Sequence, residues 1–153
     1  MTRLSLPWLV ALALTPTLAA DDASTAESER ARHRGTWVAT SMIRDGESAP
    51  AAVVGSIRRE VEGDHVAWTR DGKRFAGTRF EVDPSPSPRA LDLLPDGGPS
   101  RGERLLAIYK FEEETLTICV ADVGRPRPVR FEAGPGSRQT LQAFRRVEPA
   151  GPK

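Results

Sequence analysis

From Gly35 onward, apolar and polar residues alternate in short runs, and almost no stretch repeats its apolar positions at helical spacing. Ile57 and Val61 share one face of Ser56 to Glu62, with Arg58, Glu60 and Glu62 on the other. Val66 and Trp68 share the apolar face of the next run. Alternation of this kind predicts half-buried β-strands. Turn residues separate the runs: Asp45-Gly46, Gly63-Asp64, Asp71-Gly72 and Gly134-Pro135-Gly136. The predicted strands are Thr36 to Arg44, Ser56 to Glu62, the run holding Val66 and Trp68, and Arg74 to Val82. They continue with the run holding Leu91 and Leu93, then Arg104 to Phe111, Thr115 to Val120, Val129 to Phe131 and Gln139 to Val147. Arg104 to Phe111 is nearly all apolar, which predicts burial on both faces. Gly77 lies mid-strand and predicts a bend or bulge. Asp83 to Pro88 carries three prolines, which excludes a central strand. Ser48 to Gly55 reads as a brief helical turn crossing one end.

This pattern gives an all-β fold of about eight to nine short antiparallel strands. An up-and-down barrel, closed by pairing its last strand with its first, leaves no exposed edge. The strand holding Trp37 then lies beside the strand holding Phe144.

The N-terminus reads differently. Arg3, the apolar run Leu4 to Leu14 and the small residues Thr17-Leu18-Ala19-Ala20 form an export-signal pattern. The apolar run is shorter than the roughly 20 residues a spanning helix needs. The expected organisation is a signal peptide over 1–20, a polar leader over 21–34 lacking an apolar stripe to dock with, a barrel domain over 35–147 and a frayed tail over 148–153. The expected location is periplasmic or extracellular, with no membrane attachment after cleavage. Loss of Arg3 with the signal leaves 21 acidic and as many basic residues. A neutral, well-mixed chain has no overall attraction for nucleic acid or anionic lipid. Cys119 is the only cysteine of the 153 residues, so an intrachain disulfide is excluded and burial alone must hold the core. In the strand Leu116 to Val120, Cys119 is expected to be a buried, structural thiol.

Longer motifs sharpen the fold. Gly35-Thr36-Trp37, the Asp-Gly turn, GxRFEVDPxxxPRALDL from Gly77, GxxLLAIYKFEEETLTIC from Gly102 and the RPxxF…GS ending run from Gly35 to Arg146. Together they resemble a lipocalin-like domain abundant in planctomycete bacteria. The resemblance implies a calycin-like β-barrel and an exported location, and brings no established active site. Ala107 departs from the glycine expected before Ile108-Tyr109, which alters local packing.

Candidate chemistry is sparse. Asp92, Asp96, Glu112 to Glu114 and Asp122 supply carboxylates, but an acid/base pair needs two of them about 5–10 Å apart in a cleft, and Glu112 to Glu114 sits in a predicted turn. His33, in the leader, and His65, after a turn, show no spacing suited to a metal or haem. No nucleophile elbow or phosphate loop is present. No cofactor is expected. The aromatic set Trp37, Trp68, Phe75, Phe80, Tyr109 and Phe111 either lines a cavity or fills the barrel. Arg125, Arg127, Arg130, Arg138, Arg145 and Arg146 cluster toward the C-terminus and suit an anion if loops gather them. The leading expectation is a non-enzymatic module holding a small apolar ligand near Trp68, Phe80 and Tyr109, with Trp37 structural at one end of the barrel. The alternative is a protein-interaction or envelope-structural module with a solid barrel, and an enzyme comes third.

Overall fold

The computed structural model describes residues 18–147, with side chains from residue 25 onward. Most of the expected signal segment and the expected tail lie outside these residues; the backbone of Leu18 to Ala20 opens the first helix. The elements, in order, are α1 (Leu18–Arg32), β1 (Gly35–Arg44), β2 (Glu47–Ser48) and α2 (Ala51–Gly55). Then come β3 (Ile57–Glu62), β4 (His65–Arg70), β5 (Lys73–Asp83), β6 (Arg89–Pro95), β7 (Leu105–Glu112), β8 (Thr115–Ala121) and β9 (Gln139–Arg146). Neighbouring strands pair antiparallel in the order β2-β1-β3-β4-β5-β6-β7-β8-β9, and β1 pairs again with β9. Eight strands therefore close into an up-and-down barrel, a lipocalin-like architecture, and β2 is a two-residue spur on the end of β1. Ala39 stands opposite Phe144 across the closing seam.

Turn chemistry sets the registers. Asp45-Gly46 and Asp71-Gly72 both place two successive residues at positive φ, the requirement of tight primed hairpin turns. Val129 to Phe131 does not pair as a strand. It belongs to a strap, residues 122–138, lying on the outer face of the sheet. Two observations fix the strap there: Arg127 Nη1 donates to Leu91 O (3.2 Å) and Ala107 O (2.8 Å), and Lys110 Nζ sits 5.0 Å from the Phe131 ring. The strap explains why β7 is buried on both faces. Tyr109 and Ala107 enter the barrel core, while Ile108 is buried outside it with Cys119, its cross-strand partner. Cys119 Sγ donates to Glu132 O of the strap at 3.3 Å, and burial pushes the thiol pKa up.

Gly77 is not the bulge. It pairs in register with Ala67, and the irregularity falls at Phe75, between the pairs Trp68–Ala76 and Thr69–Arg74. A Cβ on Gly77 would collide with the Arg74 guanidinium and the Asp96 carboxylate, so the glycine admits that close approach. The bulge leaves Phe75 59% exposed.

Both barrel ends are covered. At the end where β1 begins, α1 leads into His33, whose ring lies 4.9 Å from Tyr109 and Phe111 and 5.2 Å from Phe80. The leader thus docks, through polar residues where an apolar stripe is lacking: Glu29 and His33 are buried. At the far end α2 packs on β1 and β3 with Val54 buried. Between the ends, Trp37, Phe80, Leu91, Tyr109, Leu116 and Phe144 belong to one buried cluster, and the Trp68 ring packs on Phe144, three strands round the wall, at 5.8 Å. No helix of the described residues is long and apolar enough to cross a membrane.

Candidate functional site

Two places bring polar chemistry together. The first lies under α1. Glu29, one turn before the end of the helix, accepts from Tyr109 Oη at 3.0 Å and from Arg32 Nη1 at 2.9 Å, and pairs with Arg89 Nη1 at 3.3 Å. Burial, then the Glu29 charge, raise the Tyr109 pKa, so its hydroxyl remains a donor. Trp37 Nε1 donates to His33 O at 2.9 Å, tying the first strand to the helix end. The Arg146 guanidinium covers the Trp37 ring at 4.1 Å and donates to Arg32 O and Arg34 O.

Beneath His33 lies Arg59. Period-two geometry places it on the Ile57/Val61 face of β3, and it points inward with them. It stands in one cross-strand row between Trp37 and Trp68. Arg59 and His33 are both 0% exposed. Arg59 Nη2 is 3.3 Å from His33 Nδ1. A guanidinium only donates, so Nδ1 accepts and the neutral ring carries its proton on Nε2. Burial, then the charges of Arg59, Arg32 and Arg146, hold the His33 pKa well below the usual histidine range. Burial also lowers Arg59, to about 9, which leaves it charged at neutral pH. No carboxylate of the described residues pairs with it.

The second place is the rim around α2. Thr140 pairs with Val120 and Arg44 in the inward register. With Leu105, Ser100, Asp122, Val123 and Arg138 they line a concavity of about 440 Å³. Arg44 grips Asp122 through both nitrogens at 3.0 and 3.1 Å. Ser100 also borders a second concavity, about 580 Å³, lined by Phe75, Pro99, Arg74 and Asp96. Both open broadly to solvent. Phe75 and Val123, 42% exposed, therefore flank one continuous surface.

Comparison with family models, with curated proteins and with solved structures returns no match.

Of the aromatic set, Phe80 and Tyr109 are core side chains and Trp68 packs half-buried against the same core. None of the three lines the concavities described above. Trp37 is fully buried, and Cys119 is buried and free. The carboxylates are dispersed and paired with bases. Asp92 meets Arg104 and Arg127, Asp122 meets Arg44, Glu112 meets Lys110 and Glu114 meets Arg146. Asp96 meets His65 at 2.8 Å, a hydrogen bond that holds its pKa down. Among the described residues no group of three or more His, Cys, Asp or Glu could hold a metal ion. The C-terminal arginines separate: Arg127 pins the strap, Arg146 covers Trp37, Arg138 borders the rim, and Arg145 lies on β9. No motif marks Arg59, although its place between Ile57 and Val61 on one face of the strand signals an inward side chain. His33 lies in the polar leader, where no local pattern shows that the chain turns into the barrel end.

Proposed function

We propose that this chain is an exported, non-enzymatic protein-interaction or envelope-structural module, a lipocalin-like domain of the planctomycete type that its motifs resemble. The observation that carries the reading is the closed, packed barrel: α1 and His33 cover one end, α2 packs at the other, and one buried cluster that includes Phe80, Tyr109 and Phe144 occupies the middle. A solid barrel is a support, and any surface it offers a protein partner lies outside. The rim surface between Phe75 and Val123 is the face we assign to a partner. Exposed apolar anchors beside shallow concavities, bordered by Arg44, Arg74, Asp96 and Arg138, match the apolar centre and polar border of protein interfaces.

The other reading, a small apolar ligand held near Trp68, Phe80 and Tyr109, requires these packed side chains to part. One experiment separates the two. A photo-crosslinking residue is placed at Phe75, and separately at Glu62 on the opposite rim, in the native host. A discrete protein adduct from Phe75 alone supports the interaction module. Adducts of equal yield from both positions, or a lipophilic molecule retained in native mass spectrometry, overturn it.

A further inference from the structure

The buried pair Arg59 and His33 is left with hydrogen-bond donors and no acceptor. Arg59 Nη1 and His33 Nε2 are both buried without a partner among the protein groups. The contact between Arg59 Nη2 and Nδ1 fixes the tautomer, so Nε2 is a donor as well. The walls around them are aromatic: the guanidinium sits over the Phe80 ring, 5.7 Å from its centre, and Tyr109 and Phe111 make T-shaped contacts with His33. The Glu29 carboxylate, buried at the same end of the barrel, is spent on Arg32, Arg89 and Tyr109. A buried cation without a counter-charge is costly. A water molecule would satisfy the donors but not the charge.

We propose that Arg59 and His33 form an internal binding site for a small monovalent anion, of the size of chloride or formate, enclosed by α1. Two features support that class. The donors are cationic or neutral with no acceptor among them, and both groups are fully buried among packed rings, which restricts an occupant to a few atoms. The site is independent of the rim surface and of any protein partner.

The test uses the full protein dialysed into gluconate, an anion too bulky for the interior. Chloride, bromide or formate is titrated in at constant ionic strength while urea unfolding is followed. An anion bound only by the folded state multiplies the folded-to-unfolded ratio by about tenfold for each tenfold rise above its dissociation constant. Chloride and formate arms run separately identify the occupant. Arg59→Met abolishes the dependence. Should that variant fail to fold, wild-type crystals grown in bromide show an anomalous peak between Arg59 and His33. Unfolding that is identical in chloride, formate and gluconate overturns the proposal. So does an Arg59→Met protein that keeps the dependence, or a bromide crystal with only water at the pair.

Discussion

Trp37 offers the sharpest test of how α1 is held to the barrel. Trp37→Ala removes a fully buried indole at the seam of β1, β3 and β9. Truncation of a buried tryptophan costs about 3–5 kcal/mol in lost transfer and cavity terms. The indole N–H that satisfied His33 O at 2.9 Å is lost, and an unmet buried carbonyl adds about 1 kcal/mol or more. The Arg146 guanidinium at 4.1 Å loses its aromatic platform, about 0.5–1 kcal/mol. These losses overlap, so the expected total is about 5 kcal/mol, a third or more of the stability of an ordinary domain. With a urea slope of about 1.5 kcal/mol/M, the midpoint falls by about 3 M. Trp37→Phe keeps much of the volume and loses the donor, and should fall about half as far. Equilibrium urea unfolding followed by far-ultraviolet circular dichroism measures both. A Trp37→Ala midpoint within about 0.7 M of wild type refutes the reasoning.

Three further outcomes are expected. His33 resists protonation in the folded state but takes a proton near pH 6.5 when unfolded; stability is therefore full above that pH and falls by up to about 1.4 kcal/mol per unit below it. Urea midpoints between pH 7 and 5 check this, and His33→Gln should flatten the slope. Cys119, buried beneath the strap with a raised pKa, should react with thiol reagents in native buffer at least a hundredfold more slowly than in urea; equal rates would mean that the strap does not cover it. Gly46→Ala should destabilise by about 1–3 kcal/mol, because Gly46 sits at φ +87° and a Cβ there would meet Pro135 at 2.7 Å; thermal unfolding measures it.

The strands were legible because each run advertises itself twice, by alternation and by the turn that ends it. Ser56 to Glu62 and Thr115 to Val120 fall on β3 and β8 almost residue for residue. Closure of the barrel followed from the need to hide edges. What escaped the sequence was whatever polar side chains do. Glu29 and His33 dock α1 without an apolar stripe, and Arg59 is a charge on an apolar face. The strap reads as a strand at Val129 to Phe131 because apolar residues alternate there, yet Val129 is 76% exposed. Its place is set by Arg127 reaching two sheet carbonyls, a contact across some 20 to 36 residues of chain that no local pattern records.

The seam between β1 and β9 has a mechanical consequence. β1 enters and β9 leaves the barrel side by side at the same end, with Trp37 opposite Arg146 and Val147 N donating to Thr36 O at 2.8 Å. Tension applied between these two ends would load the seam one rung at a time, as a zipper is loaded, and open the barrel at low force. Tension applied through the far rim and either end would pull along the strands and strain many rungs together. A domain of this shape withstands pulling between its rim and a single tether far better than pulling between its own two ends.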